Sequence, residues 1–519
     1  MEHTTSDSAV WLSMVREAFA ESDSLTDVRS VLEERARQTG LAGAFARGLQ
    51  ELVSYVDSPL AEADTAVEAE TRAVEASRRI VRPVLEAKLQ ARLDQLDRDS
   101  RGKTRCCGCA KLCRSKGRPG RGWESLLGAL GLKRRYSYCD DCEKGRFGAQ
   151  EALGLTDSGF TPRLEEVCTM IAATVPYGMT VRIIGSLCGV QLSTKGIEQM
   201  VERRGEAVSM LDDAEAQACN PYDETGLPVQ QARPEDAVEP SAAPDVAYVE
   251  IDGVIPITRE ELGDEDLTDA DRQRLAQAMQ DKARGGKGRR FRIVGREVKN
   301  AVLYDGKDCV RESAERGSIL DKTYVSYLGS WLPFALLLWT AMVRLRFDQS
   351  RLLVVLSDGA DWIRSLAEWL PIPVVLILDL YHVKHRIREV AYAVWGESSQ
   401  SGREWARVQC GRVEEGRADD VLQALQFIHP DRDHAREKVD RLVTCLENNR
   451  DRMDYPDYRA RGLRISSSGV ESANFHVTGA RLKLQGMRWS ADGAARMAAL
   501  RADLLNLRWE RRTRQILAA

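Results

Sequence analysis

Two apolar runs in this chain end alike: Val246–Ile251 leads into Asp252-Gly253, and Leu352–Leu356 leads through Ser357 into Asp358-Gly359. Short apolar runs bounded by turn residues read as buried β-strands. Further strands are expected at Arg290–Val294, Ala301–Tyr304, Tyr324–Leu328 and Val374–Leu378, with helices over Leu332–Phe347 and Ala360–Leu370. Strands and helices mixed in this order restrict the region to an α/β sheet. Ligands in such sheets gather beyond the strand ends, so Asp252 and Asp358 are expected in one crevice.

Within the first run, period-two alternation puts Val249 and Ile251 on one face and Tyr248, Glu250 and Asp252 on the other. A third oxygen donor is available at Glu471, in Ser467-Ser-Gly-Val-Glu-Ser-Ala-Asn474, where small residues allow close packing and Ser and Asn can orient a carboxylate. Three carboxylates can hold a pair of Mg²⁺ or Mn²⁺ ions for in-line phosphoryl transfer. An acid followed by glycine at a strand end is also a common turn former, and spacing alone leaves both readings open.

Six of the twelve cysteines lie between Cys106 and Cys142. Cys106-x-x-Cys109 and Cys139-x-x-Cys142 are two knuckles about 30 residues apart, a spacing that suits one tetrahedral Zn²⁺ on four thiolates. Cys107 and Cys113 are spare, and exchange with Cys106 or Cys109 stays open. The segment from Arg101 to Arg146 is rich in Cys, Gly, Lys and Arg, so it needs a staple to fold. Its basic residues, Arg134 and Arg135 among them, are interleaved with Trp123, Tyr136 and Tyr138 in a pattern that suits phosphate and base contacts.

The expected organisation is multidomain, α and α/β. Residues 1–100 read as a helical N-terminal region, with apolar positions such as Val28, Val31, Leu32 and Ala36 at helical spacing. Residues 101–150 form the cysteine module, 151–218 a second helical block, and 219–245, rich in Pro, Ala and acids, a linker. The block contains helix Val181–Leu187, a turn at Cys188-Gly189 and helix Ser193–Arg203, either a helix-turn-helix reading DNA through Lys195 and Arg203 or a plain helical hairpin. Its place beside a basic module favours DNA recognition.

Residues 246–519 hold the sheet, a polar insertion at 258–289 ending in the basic run Lys287, Arg289 and Arg290, and a helical insertion at about 386–460. Ser467–Arg481 and Ala491–Arg514 read as two closing helices. A net charge of −4 gives no global case for nucleic acid, so DNA contacts must rest on local patches. The N-terminal segment shows no secretory pattern and no apolar stretch is long enough to span a bilayer, so a cytoplasmic protein without a membrane partner is expected.

Several segments together resemble a known family. They are EIDGV around Asp252, GREVKNAVLY at Gly295–Tyr304, SDGADWI around Asp358, LDLYHVKH at Leu378–His385, SGVESANF around Glu471, and the tail from Arg481 to Trp509. In this order they resemble the DDE transposases of bacterial insertion sequences, in particular the Kra-type group related to the Mutator superfamily. The resemblance implies an RNase H-like core with an all-helical insertion, a metal-binding triad of Asp252, Asp358 and Glu471, and a zinc ribbon in the cysteine module.

It also implies DNA partners, the element's terminal inverted repeats and the target, and an assembly of at least two protomers on DNA. Asp379-x-x-His382 is similar to the Cys/Asp-x-x-His signature of Mutator relatives and is given an ancillary role, with His385 as an adjacent candidate. The basic tail residues Arg481, Lys483 and Arg488 join the expected DNA contacts. The rival readings are a domesticated DNA-binding regulator and a structure-specific nuclease of RNase H-like type.

Overall fold

The computed structural model describes residues 41–56, 58, 65–100, 103–263, 265, 267–282, 291–311 and 317–518, with Ser30, Glu34, Arg37 and Gln38. Lys287, Arg289 and Arg290, and the N-terminal positions Val28, Val31, Leu32 and Ala36, lie outside the described residues. Chain contacts divide the molecule into two compact units, Met1–Ala172 with Pro176–Met200, and Ala173–Val175 with Val201–Ala519.

Among the described residues the first unit carries helices α1 (Ala42–Val56) and α2 (Ala66–Asp99). Thr65 and Glu68 form a reciprocal capping box at the start of α2, which satisfies two of its free N–H groups. Five short strands follow: β1 (Arg114–Ser115), β2 (Gly120–Ser125), β3 (Gly128–Lys133), β4 (Ser137–Cys139) and β5 (Lys144–Arg146). β2 and β3 pair as a hairpin, and β1, β4 and β5 form a separate antiparallel sheet.

Leu93, Trp123, Leu132 and Leu155 form a buried apolar cluster beside β2 and β3, too small to hold the strands alone. Helix α3 (Gly148–Ala152) precedes α4 (Pro162–Ala172) and α5 (Tyr177–Cys188). Gly189, at φ 66°, ends α5 before α6 (Thr194–Ala218) begins, giving the helix, turn and helix expected from sequence.

The second unit is built on five strands: β6 (Val246–Val254), β9 (Val298–Asp305), β12 (Thr323–Leu328), β13 (Leu352–Ser357) and β14 (Val374–Leu378). Their order is β12-β9-β6-β13-β14; β9 runs antiparallel to both its neighbours, β13 and β14 run parallel to β6, and β10 (Cys309–Arg311) and β11 (Gly317–Ile319) form a separate antiparallel pair. Alternation on β6 divides the core as expected. Ala247, Val249 and Ile251 pack with α8 (Trp331–Arg344) and α9 (Asp361–Trp369). Tyr248 faces the other side, with residues of α10 (Leu380–Trp395) and of α15 (Ser468–Ala473).

Between α10 and α15 the chain is helical, as expected: α11 (Gln400–Glu414), α12 (Ala418–Leu425), α13 (Asp433–Asn448) and α14 (Tyr455–Ala460). Among the described residues no helix is long and apolar enough to cross a membrane.

Four local expectations are corrected. The strand expected at Arg290–Val294 is β8 (Phe291–Gly295), and it stands outside the main sheet, paired with β7 (Ile257–Glu261). Two of its five residues are exposed and none is buried, which suits a small edge sheet and not a buried one. β15 (Trp489–Ser490) completes that sheet, and α7 (Asp269–Lys282) lies between β7 and β8 in sequence, so the described part of the polar insertion carries a strand and a helix.

Residues 219–245 do not behave as a free linker. Trp339 donates to Gln231 at 2.6 Å, Arg233 pairs with Asp348 at 2.6 Å, and Arg344 pairs with Asp236 at 2.9 Å, so this segment is bound to the helix α8 region. The helix expected over Ser467–Arg481 is α15, then a π-helical stretch Asn474–Gly479, then α16 (Ala480–Leu482).

The helix expected over Ala491–Arg514 breaks into α17 (Ala491–Leu505) and α18 (Trp509–Ala518). At the break Asn506 exchanges two 2.8 Å hydrogen bonds with the backbone of Tyr324, and Leu507 takes φ 56°.

Candidate active site and cysteine centre

Parallel register pairs Ser357 with Ile251 and so brings the next residues, Asp358 and Asp252, to the same edge of adjacent strands. Burial raises the pKa of Asp252, and the charge of Asp358 raises it further, which marks the two carboxylates as close neighbours. Asp252 accepts from the Gly253 N–H at 2.7 Å and from the Asn474 side-chain amide at 2.6 Å. Asp358 accepts from the Ala360 N–H at 3.2 Å, with Arg386 of α10 at 4.0 Å.

Gly359 turns the chain here at φ 88°, and a Cβ on it would stand 2.6 Å from Leu378 Cδ1. A cleft of about 590 Å³ opens beside Asp358, lined also by Arg386, Arg436, Arg441 and Asn448.

Asp379 is buried at the start of α10, where its Oδ1 accepts from the His382 N–H at 3.0 Å. Its Oδ2 accepts from the Ser467 N–H at 2.5 Å and from the Ser467 hydroxyl. Burial would raise the Asp379 pKa, but the hydrogen bonds from His382 and Ser467 outweigh it and hold the carboxyl below its ordinary range.

His382 Nδ1 stands 3.7 Å from Asp379. That carboxylate raises the imidazole pKa against the effect of burial, and Asp252 and Asp358 add to the rise. Of the two histidines, His382 therefore faces the acids, whereas His385 is exposed on α10.

Glu471 is exposed on α15, one turn before the Asn474 that bonds Asp252. Its carboxylate is not drawn into a tight cluster with the two aspartates. Among the described residues, the cysteine quartet is the group of His, Cys, Asp or Glu side chains whose ligand atoms all lie within 4.8 Å of one another.

That quartet is Cys106, Cys109, Cys139 and Cys142, the four predicted from spacing; neither Cys107 nor Cys113 replaces any of them. Cys109 and Cys139 sulfurs are 3.6 Å apart, against about 3.8 Å for the edge of a tetrahedron with Zn–S bonds of about 2.3 Å. Backbone N–H groups of Cys109 and Gly108 lower the Cys106 pKa to about 6.

Hydrogen bonds shared with Cys109 and Cys106 push the Cys142 thiol up to about 12. Four sulfurs packed this closely cannot all ionise without a cation, so the donor set fits Zn²⁺.

Residues 338–514 match the model of an uncharacterised protein family, UPF0236. The matched stretch covers about a third of the chain and includes Asp358, Asp379, His382 and Glu471, but neither Asp252 nor the cysteine quartet. No curated protein matches the sequence. A solved Drosophila P element transposase strand transfer complex aligns over 69% of this chain and 82% of its own, at 9% identity and a TM-score of 0.22, too low to argue from.

The expected DNA contacts divide by exposure. Arg134 is buried, bonded to Gln150 and to Asp157 at 3.2 Å, with its guanidinium 3.7 Å from the centre of the Phe147 ring. Arg481 is buried too, 5.0 Å from the Trp489 ring. Both guanidinium groups are thus held against aromatic rings inside the fold.

Arg135 stands 3.9 Å from Asp97, Lys195 pairs with Glu198 at 2.8 Å, and Arg203 is half-buried. Lys483 and Arg488 are exposed. In the cysteine module Lys111 pairs with Asp141, Arg114 with Asp140 and Arg146 with Glu151, so part of the basic excess is neutralised locally.

Sequence reasoning passed over Glu250, Asn300 and Arg386. For Glu250 a signal existed: a carboxylate on the same strand face as Asp252.

Proposed function

We propose that this chain is a DNA transposase of the DDE type, related to the Kra-type group, that cleaves DNA strands at element ends and transfers them to target DNA. The observation that carries the reading is the pair Asp252 and Asp358 at the ends of adjacent parallel strands, with the helix of Glu471 tied to Asp252 through Asn474. A sheet of order 3-2-1-4-5 in its own strand sequence, antiparallel then parallel, supports an RNase H-like core.

The donors also fit a divalent metal, since burial and, after it, the charge of Asp358 raise the pKa of Asp252, and a bound cation offsets both. Asp252, Asp358 and Glu471 would hold Mg²⁺ or Mn²⁺, which when bound activates the attacking oxygen and offsets charge on the leaving one.

The protein's own groups then have distinct tasks. Asn474 and the Gly253 N–H orient Asp252; Asp379 keeps His382 beside the acids, where its imidazole can exchange a proton or contact a phosphate. The cleft beside Asp358 is lined by five acids and three arginines; Arg436 and Arg441 pair with Asp433 and Glu437, so Arg386, 4.0 Å from Asp358, is the cation it would offer to a phosphate. The cysteine module and α5–α6 serve as DNA-binding elements, with Arg135, Lys195, Arg203, Lys483 and Arg488 as phosphate contacts, in an assembly of at least two protomers.

The test is Mg²⁺-dependent cleavage and strand transfer on DNA carrying the element's ends, with Asp252→Asn, Asp358→Asn and Glu471→Gln beside the wild type. Loss of both steps in each variant, with DNA binding retained, is expected. Hydrolysis without strand transfer by the wild type would make it a nuclease, and binding without cleavage a regulator.

A further inference from the structure

Glu250 lies on β6 two residues before Asp252 and on the same face, with 0% of its surface exposed. Both carboxylate oxygens are engaged: Oε1 accepts from the Tyr304 hydroxyl at 2.6 Å, and Oε2 from the Val470 N–H at 2.8 Å. Val470 belongs to the first turn of α15, where N–H groups have no partner within the helix.

Gly469 permits this approach, since a Cβ there would stand 2.8 Å from Glu250 Oε2 and 2.9 Å from Ile319 Cδ1. Arg464, in the segment before α15, is 3.9 Å from Glu250, lies over the Tyr304 ring and donates to the Ser468 hydroxyl at 3.1 Å.

Asp379 holds the residue just before α15, Ser467, through its N–H and hydroxyl. Two buried carboxylates thus fix Ser467 and Val470, and the next residue is Glu471. Burial pushes the Glu250 carboxyl up, while the Tyr304 and Val470 hydrogen bonds pull against that rise. A leucine would pack this interface at less cost than a buried acid. The acid differs in supplying a directional acceptor to one helix start, which specifies where the next turn stands.

We propose that Glu250 is a positioning residue for the carboxylate centre: through Val470 it sets the place of Glu471 and Asn474 relative to Asp252, without itself touching metal or substrate. This rests on the reading of Asp252, Asp358 and Glu471 as a metal centre.

The experiment is Mn²⁺ titration of the full zinc-loaded chain, followed by electron paramagnetic resonance, on the wild type, Asp358→Asn, Glu250→Leu, Glu250→Gln and Gly469→Ala, with thermal melting in parallel. Asp358→Asn is expected to abolish binding. Glu250→Leu, which cannot accept from Val470, should weaken Mn²⁺ binding by about tenfold or more, and Glu250→Gln, which keeps an acceptor, should stay within about threefold of the wild type.

Gly469→Ala alters no titratable group yet crowds the same contact, so it should weaken binding as Glu250→Leu does and decides the matter should Glu250→Leu not fold. Wild-type affinity in either variant overturns the proposal while leaving the metal centre intact. A wild type that binds no Mn²⁺, or binding that survives in Asp358→Asn, overturns the metal-centre reading and this proposal with it.

Discussion

The side-chain amide of Asn474 donates to Asp252 across 2.6 Å, although 222 residues separate the two in the chain. Asn474 is itself held by Asn300, whose amide reaches Asn474 Oδ1 at 2.8 Å and Thr478 Oγ1 at 3.0 Å, while Ser326 donates to Asn300 at 2.8 Å. Three strands and the π-helical turn therefore meet at one carboxylate. Asn474→Ala is expected to lower cleavage by about 10–100-fold, as loss of groups that orient metal ligands does. Single-turnover assays at saturating Mg²⁺ check this, and unchanged rates would remove Asn474 from the site.

In the cysteine centre, Zn²⁺ must displace protons from thiols whose pKa values reach from about 6 at Cys106 to about 12 at Cys142. Zinc affinity is expected to rise with pH between 6 and 9, because the ligating forms are thiolates. Competition with a chromophoric chelator measures it. Cys139→Ser should release the metal and open β1–β5 to protease; a flat pH profile with no proton release would contradict the ligand set.

The Asp379–His382 pair carries opposite pH signatures. Asp379 has a lowered folded pKa, so its stabilising share is present above the unfolded value near 3.8 and is lost as pH falls through the folded one. His382 has a raised folded pKa, so its share is full below the unfolded 6.5 and is lost as pH rises through the folded value. In the metal-free protein, NMR should place the His382 titration above 6.5, and Asp379→Asn should move it down. An unmoved midpoint would show that the acid does not set it.

Arg512 is 2% exposed and bonds Asp212, with Glu215 at 3.2 Å and Asp503 at 3.4 Å. Arg512→Ala leaves the half-buried Asp212 without this cation, while Glu215 keeps Arg344 and Asp503 keeps Arg508, so about 1–3 kcal/mol should be lost from the unfolding transition of this unit. Urea denaturation followed by tryptophan fluorescence provides the figure, and a change below about 1 kcal/mol would mean that the acids are neutral or hydrated.

Much of the second unit was legible in advance because its signals are local. The runs at Val246, Leu352 and Val374 are apolar enough to mark strands, and alternation divided Tyr248 from Val249 correctly between the two faces. The cysteine ligands were legible from spacing alone. The break at Leu507 and the π-helical turn after Asn474 were not, because each depends on a hydrogen bond to a distant strand, at Tyr324 and at Asn300. Arg134 and Arg481 carry a charge that suggests phosphate, and only the tertiary structure shows that both pack against aromatic rings.

By itself the sequence determined most of the strands and helices and which cysteines gather, since periodicity, turn residues and cysteine spacing act over a few residues. The tertiary structure decided the strand order, the choice of His382 over His385, and the use of Glu250 as a buried acceptor for the helix of Glu471. Those outcomes depend on which residues far apart in the chain share a face, and burial then turns each such contact into a constraint, because a polar group removed from water must find its partner there.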